Sequence, residues 1–423
     1  MLQVSYIREN REQVLERLAV KNFKQPELVD EVVKLDELRR QTQNTLDGIS
    51  AEANAAAKQI GELMRTGKKE EAEIIKSKSN VWKEEIKKLS EQYAKVEEEL
   101  QQKIVLLPNL PHSSVPKGIT PEDNEIALEH GKKPELYAGA LPHWELAAKY
   151  NLIDFELGVK ITGAGFPVYK GKGAKLQRAL IAFFLDEAEK AGYDEMMLPL
   201  VVNEASGFGT GQLPDKEGQM YYIGEDKLYL IPTAEVPITN LYRDVILKAD
   251  ELPVKNCGYT ACFRREAGSY GAHVRGLNRL HQFDKVEIVQ VVQPETSYQV
   301  LEQMSGHVQS LLQKLELPYR VLRLCGGDMS FASALTYDME TWSAAQQRWL
   351  EVSSVSNFET FQSNRLKLRF RNAEGKTQLA HTLNGSALAL PRIVATLLEN
   401  NQTEKGIKIP EVLVPYTRFE WID

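Results

Sequence analysis

Residues 263–287 read FRREAGSYGAHVRGLNRLHQFDKVE, and they gather four arginines and three glycines in a chain that is acidic as a whole. The 423 residues carry 52 Lys and Arg against 59 Asp and Glu, which gives a net charge of −7. A guanidinium binds anionic oxygens through paired hydrogen bonds, and glycines let the backbone approach a ligand closely. The stretch therefore predicts a site that holds an anionic ligand.

The sequence around this stretch predicts an α+β domain with an antiparallel sheet. Strand-like runs alternate with helical segments near residues 174–191, 295–315 and 387–400, and short turns join most of the runs. Short connections favour antiparallel neighbours over the crossover helices of a doubly wound fold. The strand-like runs are QMYYIG (219–224), KLYLIP (227–232), FDKVEIVQVV (283–292), YRVLRL (319–324) and WLEVSSVSN (349–357).

The N-terminal quarter predicts a long antiparallel coiled-coil hairpin between about residues 27 and 104. This segment contains no proline, and residues 27–103 carry 14 Lys and Arg against 17 Asp and Glu. Apolar residues step by three and four along two stripes, as in a coiled coil, and the polar break RTGKKEE separates them. Lysines gather from Lys68 to Lys88 among glutamates, which is more typical of a solvated face than of a nucleic-acid patch. The stripes are Leu46, Ile49, Ala53, Ala56, Ile60 and Leu63, then Trp82, Ile86, Leu89, Tyr93, Val96 and Leu100.

A proline-rich linker separates this arm from the rest of the chain. Residues 106–124 contain Pro108, Pro111, Pro116 and Pro121. Because prolines interrupt helices and favour extended connections, we expect an N-terminal domain at residues 1–107 and a second domain at 108–423.

The composition disfavours a membrane protein and a disulfide-stabilised secreted protein. No apolar run approaches the roughly 18 residues of a membrane span, and the N-terminus lacks the pattern of a signal or transit peptide. Cys257, Cys262 and Cys325 are too few for a disulfide framework. Cys257 and Cys262 lie near His273 and His281, so a mixed Cys/His metal site is an alternative to reduced core thiols, which are favoured. We expect a cytoplasmic protein without zinc.

Four stretches of the second domain resemble the signature motifs of class II aminoacyl-tRNA synthetases, and specifically of the bacterial seryl-tRNA synthetase family. The first stretch, AKLQRALIAFFLDEAEKAGYDEMMLPLVV (174–202), predicts a helix that ends at Gly192 and a strand that holds Pro199. It is similar to the dimer-interface motif of the family. Apolar residues cover more than one face of the helix, so one face can pack on the core and another on a second subunit, although a fully buried helix fits the pattern equally well. The resemblance implies a homodimer.

The opening stretch resembles the second motif, in which a strand carrying Arg-x-Glu, a glycine-rich turn and a return strand bind ATP. The resemblance implies that Arg264 grips the α-phosphate, that Glu266 lies near the adenine amine and that Phe283 stacks on the adenine. It also places Arg265 and Leu280 at the nucleotide. Arg265 departs from the family pattern, because many relatives carry a small residue at that position.

The stretch LNGSALALPRIVATLLENN (383–401) resembles the third motif of the family. It predicts a strand that turns through Gly385 into a helix carrying Arg392. The resemblance assigns Arg392 to the γ-phosphate of ATP and to catalysis together with Arg264. Arginine suits both roles, because its guanidinium stays charged and matches the geometry of phosphate oxygens.

The segment RWLEVSSVSN (348–357) resembles the strand that supplies ligands to Mg²⁺-ATP in the family. The resemblance assigns the metal to Glu351 and Ser354, whose carboxylate and hydroxyl oxygens are ligands that Mg²⁺ prefers. It also places Val352 and Ser353 at the nucleotide.

The fourth stretch, IPTAEVPITN (231–240), resembles the Thr-x-Glu loop that covers the serine substrate in the family. A small substrate with a hydroxyl requires hydrogen-bonding groups in a tight site. Alanine would leave those groups unpaired, and the extra methyl group of threonine must be excluded by shape. The residues that the resemblance assigns to serine binding are Thr233, Ala234, Glu235, Arg264, Glu287, Asn384 and Ser386.

These motifs, in this order behind the predicted arm, imply an enzyme that activates L-serine with Mg-ATP and transfers the seryl group to the 3′ end of tRNA(Ser). The resemblance implies that the arm binds the tRNA, and it leaves open whether tRNA(Sec) is also charged. A departure at Gly165, where relatives commonly have an arginine, is expected to affect local packing only.

Two other functions are compatible with parts of the sequence. A coiled-coil scaffold without activity would be expected to have lost Arg264, Glu287 or Arg392, and all three are present. A relative that activates serine but loads a carrier protein would be expected to lack the long hairpin. Neither alternative is favoured.

Overall fold

The computed structural model describes the helices and strands of residues 1–215, 218–266, 271 and 274–423. The helices are α1 (Val4–Glu9), α2 (Arg11–Val20), α3 (Glu27–Arg65), α4 (Lys69–Ile104), α5 (His143–Lys149), α6 (Phe155–Ile161), α7 (Gly171–Lys190), α8 (Glu204–Thr210), α9 (Glu235–Asn240), α10 (Ser297–Lys314), α11 (Thr360–Leu366), α12 (Leu390–Asn400) and α13 (Val414–Thr417). The strands are β1 (Glu125–His130), β2 (Ile153–Asp154), β3 (Val168–Tyr169), β4 (Asp194–Glu195), β5 (Val201–Asn203), β6 (Tyr222–Ile223), β7 (Leu228–Leu230), β8 (Ile246–Lys248), β9 (Val254–Phe263), β10 (Gln282–Val292), β11 (Tyr319–Arg323), β12 (Leu335–Ser343), β13 (Arg348–Asn357), β14 (Arg369–Arg371), β15 (Thr377–Leu379), β16 (His381–Ala389), β17 (Gln402–Thr403), β18 (Gly406–Lys408) and β19 (Trp421–Ile422).

The chain divides into two compact units. The first comprises Met1–Ala19 and Phe23–Pro108, and the second comprises Val20–Asn22 and Asn109–Asp423. The pair α3 and α4 belongs to the first unit, and every described strand belongs to the second. Among the described helices, none combines the length and the apolar character that a membrane span requires.

The predicted helical hairpin is confirmed. Residues 66–68 join α3 to α4, and Gly67 in this turn has a φ of +77°, a conformation that glycine adopts without the steric cost of a side chain. With 39 and 36 residues, the two helices are about 58 and 54 Å long at a rise of 1.5 Å per residue. Every residue of the two predicted apolar stripes is buried or half-buried, whereas most residues between them are exposed. The stripes therefore form the seam between the helices.

The second unit is built on an eight-stranded sheet with the order β1-β11-β12-β13-β16-β10-β9-β4. Neighbouring strands are antiparallel throughout, apart from the parallel pair β4 and β9. This arrangement, with helices packed on the sheet, confirms the predicted α+β fold.

The main hydrophobic core lies on one face of this sheet, under α7, α10 and α12. Val286 and Ile288 of β10 belong to this core, and they alternate along the strand with Lys285 and Glu287. Because successive side chains of a strand point to opposite faces, the polar residues collect on the other side. Five apolar residues of α7 belong to the same core, and Ile181 and Leu185 are half-buried against it: Leu176, Leu180, Phe183, Phe184 and Ala188.

Several residues that the sequence analysis assigned to strands lie outside the observed strands. β9 ends at Phe263, so Arg264 and Glu266 lie beyond it, and Glu266 has a φ of +49°, which a paired strand does not allow. Pro199 lies between β4 and β5 rather than within a strand. Proline has no backbone N–H to donate to a neighbouring strand, which explains the interruption.

The predicted turn at Gly385 and the predicted helix start at residue 387 are also wrong. Gly385 lies inside β16, paired with Ile288 of β10 and Val355 of β13. A Cβ at this position would meet the Val355 side chain at 3.0 Å, so the glycine permits close packing rather than a turn. α12 begins only at Leu390, because Pro391 fits the first turn of a helix but not its interior.

Candidate active site

Predicted site residues from three strands share the face of the sheet opposite the main core. The register pairs Glu287 of β10 with Ser386 of β16, and it pairs Asn384, two residues earlier, with Ser356 of β13. Paired residues of antiparallel strands share a face, and so do alternate residues of one strand. Glu287, Asn384 and Ser386 therefore lie on one side together with Ser354, two residues before Ser356.

A β-bulge brings Glu351 to the same face as Ser354. Residues three apart in a regular strand point to opposite faces. Here the register pairs Ser354 with Asp338 and Glu351 with Glu340, so β13 uses three residues where β12 uses two. Val352 is the extra residue and defines a bulge, which re-aims the side chains on either side of it. The two predicted metal ligands consequently share one face, as a common ion would require.

The side chains of Val352 and Ser353 are used within the protein. Val352 is 1% exposed and belongs to the main core. Ser353 Oγ donates a hydrogen bond to the carbonyl oxygen of Ser386 at 2.5 Å. Only backbone atoms of these two residues are left to contact a nucleotide.

Arg392 lies beside the predicted metal ligand. Its Nη1 donates to the carbonyl oxygen of Glu351 at 2.7 Å and lies 3.6 Å from Oε2 of the same residue. Its Nε donates to the carbonyl oxygen of Asn278 at 3.0 Å. Two backbone carbonyls therefore hold this guanidinium beside the Glu351 side chain.

Arg264 and Phe283, which the motif places on two sides of a turn, are in contact. The guanidinium carbon of Arg264 lies 5.2 Å from the centroid of the Phe283 ring, within the range of a cation–π interaction. Arg264 Nε also donates to the carbonyl oxygen of Pro232 at 3.3 Å. Arg265 diverges from this pair, because it is exposed and lies over the ring of Tyr221.

A cavity of about 800 Å³ opens beside Glu266. Glu266 forms an ion pair with Arg279, and both residues line the cavity together with Leu280. Gly165 lies on the same wall with a φ of +83°, and a Cβ there would meet the His281 ring at 2.5 Å. An arginine at this position, which the family pattern predicts, would require His281 to move.

Part of the predicted site lies outside the described residues. These are residues 267–270 and 272–273, which include Gly268 of the predicted turn and His273 of the alternative Cys/His site. Cys257 and Cys262 are buried, and burial raises the pKa of the Cys257 thiol to about 12. Among the described residues, no group of three or more His, Cys, Asp and Glu side chains could hold a metal ion. The absence of zinc stays a prediction.

Glu287 lies at the centre of a buried cluster of polar groups. It is 2% exposed, and its Oε2 lies 2.5 Å from Lys285 Nζ. Lys285 also donates to Thr233 Oγ1 at 2.8 Å. The hydroxyls of Thr233 and Ser386 each lie 3.4 Å from the same carboxylate oxygen. Three predicted serine-binding residues are thus brought together around Lys285, which sequence analysis missed although it lies two residues before Glu287 on one strand.

Glu235 is the second carboxylate of this pocket. It is the first residue of α9 and is 8% exposed, and its backbone N–H donates to Thr233 Oγ1 at 3.2 Å. Burial and, next, the charge of Glu287 raise the pKa of Glu235 to about 7. Ala234 is fully buried beside Val289, so it contributes its small size rather than a polar group.

Comparison with known proteins identifies the class of protein. A family model described as the tRNA synthetase class II core domain (G, H, P, S and T) matches residues 221–401, and a model of the seryl-tRNA synthetase N-terminal domain matches residues 1–111. The crystal structure of seryl-tRNA synthetase from Pyrococcus horikoshii complexed with ATP matches with a TM-score of 0.93 at 32% identity, over 100% of this chain and 99% of that chain. The fold and the site define a class II aminoacyl-tRNA synthetase.

Full-length sequence relatives narrow this class to one family. The serine–tRNA ligase of Salinibacter ruber is 52% identical over 99% of this chain and 98% of the relative. The serine–tRNA ligase of Akkermansia muciniphila is 46% identical over 98% of this chain and 97% of the relative. The chain belongs to the serine–tRNA ligase family, and it is an aminoacyl-tRNA ligase.

Proposed function

We propose that this chain activates L-serine with ATP to seryl-adenylate and then transfers the seryl group to the 3′-terminal adenosine of tRNA(Ser). The observation that carries the proposal is the buried pocket around Glu287. A carboxylate suits the ammonium group of an amino acid, and the hydroxyls of Thr233 and Ser386 suit a small polar side chain. Glu235 and Asn384 complete the proposed serine site.

ATP is proposed to bind along the same face of the sheet. Arg264 contacts the α-phosphate and also the serine carboxylate, and Arg392 contacts the γ-phosphate. Phe283 stacks on the adenine, beside the guanidinium of Arg264. The remaining proposed contacts are those of Arg265, Glu266, Leu280, Glu351, Val352, Ser353 and Ser354.

The chemistry of activation needs no nucleophile from the protein. A carboxylate oxygen of serine attacks the α-phosphorus in line, the bond from that phosphorus to the bridging oxygen breaks, and pyrophosphate leaves with the electron pair. Arg264 and Arg392 then act by positioning the reactants and by stabilising the charge that develops on the phosphates.

Glu351 and Ser354 are proposed to hold the Mg²⁺ that accompanies ATP. The bulge in β13 places both oxygen ligands on one face, which fits a single hard cation. Asp338 faces the same side, and its Oδ1 is buried without a hydrogen-bond partner among the described residues. Mg²⁺ bound there would neutralise negative charge on the phosphates.

Residues 1–107 are proposed to form the tRNA-binding domain, and residues 108–423 the catalytic domain. The match of the N-terminal family model supports the first assignment. The proposal leaves charging of tRNA(Sec) open, and aminoacylation of that tRNA tests it. We also propose a cytoplasmic homodimer without a zinc site. Met197 of the predicted interface motif is 98% exposed, which supports association with a second copy.

The test is ATP/pyrophosphate exchange driven by serine and, separately, by threonine, alanine and cysteine. We expect exchange with serine, and rejection of alanine by about 10⁴-fold, because a site built around a substrate hydroxyl discriminates to that extent. Equal exchange with alanine, or none with serine, would contradict the proposed function.

A further inference from the structure

Gln362 of α11 lies directly behind the carboxylate of Glu235. Its Nε2 donates to Glu235 Oε1 at 2.6 Å and to the carbonyl oxygen of Thr210 at 3.1 Å. Its Oε1 accepts a hydrogen bond from Thr382 Oγ1 at 2.7 Å. Gln362 and Thr382 are each 1% exposed. Both ends of the amide are therefore occupied, and its NH₂ group is held towards Glu235.

These contacts fix where the Glu235 carboxylate points. One oxygen is bound by Gln362, and the carboxylate also accepts a hydrogen bond from Asn384, which belongs to the proposed serine site. Hydrogen bonds to a carboxylate favour its charged form, and a buried donor that competes with no water does so more strongly. Gln362 therefore acts on both the orientation and the charge of Glu235.

We propose that Gln362 is a positioning residue for serine recognition, which aims the Glu235 carboxylate into the pocket, and that Thr382 fixes Gln362 in turn. This inference rests on the proposed role of Glu235 in binding serine. Gln362 itself does not touch the reacting atoms.

The charged groups that face Glu235 are Glu287 and Lys285 of β10. Burial and the charge of Glu287 raise the pKa of Glu235 to about 7, whereas the hydrogen bond from Gln362 and the charge of Lys285 act in the opposite direction. Arg365, also on α11, donates to the carbonyl oxygens of Phe208 and Leu213 instead. Loss of the Gln362 donor should therefore raise the pKa of Glu235 further, so that the carboxylate ionises only at higher pH.

The test uses Gln362→Met in the full chain, because methionine nearly matches glutamine in size but donates no hydrogen bond. The Michaelis constants for serine and for ATP are measured by ATP/pyrophosphate exchange between pH 6.5 and 8.5. We expect the serine KM at pH 7 to rise about tenfold, the size of effect typical of a lost hydrogen bond to a charged group. The ATP KM should stay within about twofold, and the rise in serine KM should diminish as the pH increases.

Ser363→Ala is the matched control on the same helix. Ser363 is buried, and its hydroxyl donates to the carbonyl oxygen of Ala380 at 2.6 Å, so this variant also loses a buried hydrogen bond. Its serine KM should stay close to that of the parent at every pH. An equal rise in both variants would mean that the effect is a general loosening of α11, and the inference would be overturned.

Thr382→Val and Thr382→Ser keep the inference testable if Gln362→Met does not fold, as judged by its thermal unfolding. The valine variant loses the hydroxyl donor that fixes Gln362, so its serine KM should rise. The serine variant keeps this donor, so its serine KM should be close to that of the parent. An unchanged serine KM in both Gln362→Met and Thr382→Val would overturn the inference alone. Absence of serine-dependent exchange in the parent protein would instead overturn the proposed function.

Discussion

The charge of the buried pocket depends on Glu235, Glu287 and Lys285. With all three ionised the pocket carries one net negative charge, which matches the ammonium group of one amino acid. Lys285 already lies on the Glu287 carboxylate and the Thr233 hydroxyl. An ammonium group of the substrate must therefore share these oxygens with Lys285. Buried charges are tolerated only when they are paired and hydrogen-bonded, so the lysine stabilises the carboxylate before serine binds.

The first prediction concerns Glu287→Ala. This change removes the carboxylate that we propose to pair with the substrate ammonium, and it leaves Lys285 without its ionic partner. We expect the serine KM to rise by about 100-fold or more, since truncating one member of a buried charge pair costs several kcal/mol. The ATP KM, measured in the same exchange assay, should change far less. Comparable losses for the two substrates would show that Glu287 supports the fold rather than the serine site.

The second prediction concerns the pH dependence of the parent enzyme. Because the pKa of Glu235 is raised to about 7, this carboxyl is largely ionised only above that pH. Serine binding that uses the carboxylate should weaken as the pH falls from 8 to 6, so the serine KM should rise. The ATP KM should not show the same rise. Glu235→Gln should raise the serine KM and remove this pH dependence. A serine KM in the parent that does not change over this range would contradict the prediction.

At the scale of elements, the sequence predicts most of the sheet and the hairpin but not the way in which strands align. The apolar stripes of α3 and α4 are periodic, so local pattern alone determines their seam. The bulge at Val352 arises from the pairing between β12 and β13, which cannot be predicted from the local sequence pattern. Gly385 shows the same limit: its glycine suggests a turn locally, whereas its role is to let β16 pack against Val355.

Some residues of the site can also be predicted from local sequence, whereas others depend on contacts between distant parts of the chain. Resemblance to family motifs indicates Arg264, Glu287 and Arg392, because they lie in contiguous signatures. Gln362 is about 130 residues from Glu235 in the chain, and only the packing of α11 against the pocket brings them together. Lys285 could have been recognised from its position two residues before Glu287, since alternate residues of a strand share a face.

The third prediction compares two glycines of the second unit. A Cβ at Gly326 would lie 1.9 Å from the carbonyl oxygen of Val20, so Gly326→Ala must displace backbone and should lower the free energy of unfolding by about 2 kcal/mol. Gly306 lies inside α10, where an added Cβ would meet nothing within 4 Å beyond the helix's own backbone, so Gly306→Ala should raise it by about 0.5–1 kcal/mol. Denaturant unfolding measures both changes. A shift of the two variants in the same direction would contradict the packing argument.

At the scale of the whole molecule, the proposed chemistry and the proposed tRNA contacts fall in different units. Every residue assigned to ATP or serine lies at position 233 or later, in the second unit. The hairpin of the first unit contains none of them. Lys68, Lys69, Lys76 and Lys78 are exposed. Two of them form ion pairs with neighbouring glutamates, Lys68 with Glu71 and Lys76 with Glu73. Such surface pairs contribute little to stability, so these lysines can be exchanged without loss of the hairpin.

The last prediction separates the two units. Replacing residues 27–104 by a short flexible linker should leave serine-dependent ATP/pyrophosphate exchange within a fewfold of the parent, because the pocket and its sheet are intact. Aminoacylation of tRNA(Ser) should fall by orders of magnitude through lost tRNA affinity. Glutamate at Lys68, Lys69, Lys76 and Lys78 should reproduce part of this loss and reduce the salt dependence of binding, because fewer phosphate contacts release fewer counterions.

Glutamate at Lys367 and Lys376, exposed lysines of the second unit, provides the matched control for charge. This double variant changes the net charge in the same direction and should leave tRNA affinity and its salt dependence close to those of the parent. If it weakens tRNA binding as much per charge as the arm variant, long-range repulsion rather than contact with the arm explains the effect. If the protein without residues 27–104 charges tRNA(Ser) as well as the intact chain, the hairpin has another role, such as assembly, and its assignment to tRNA is wrong.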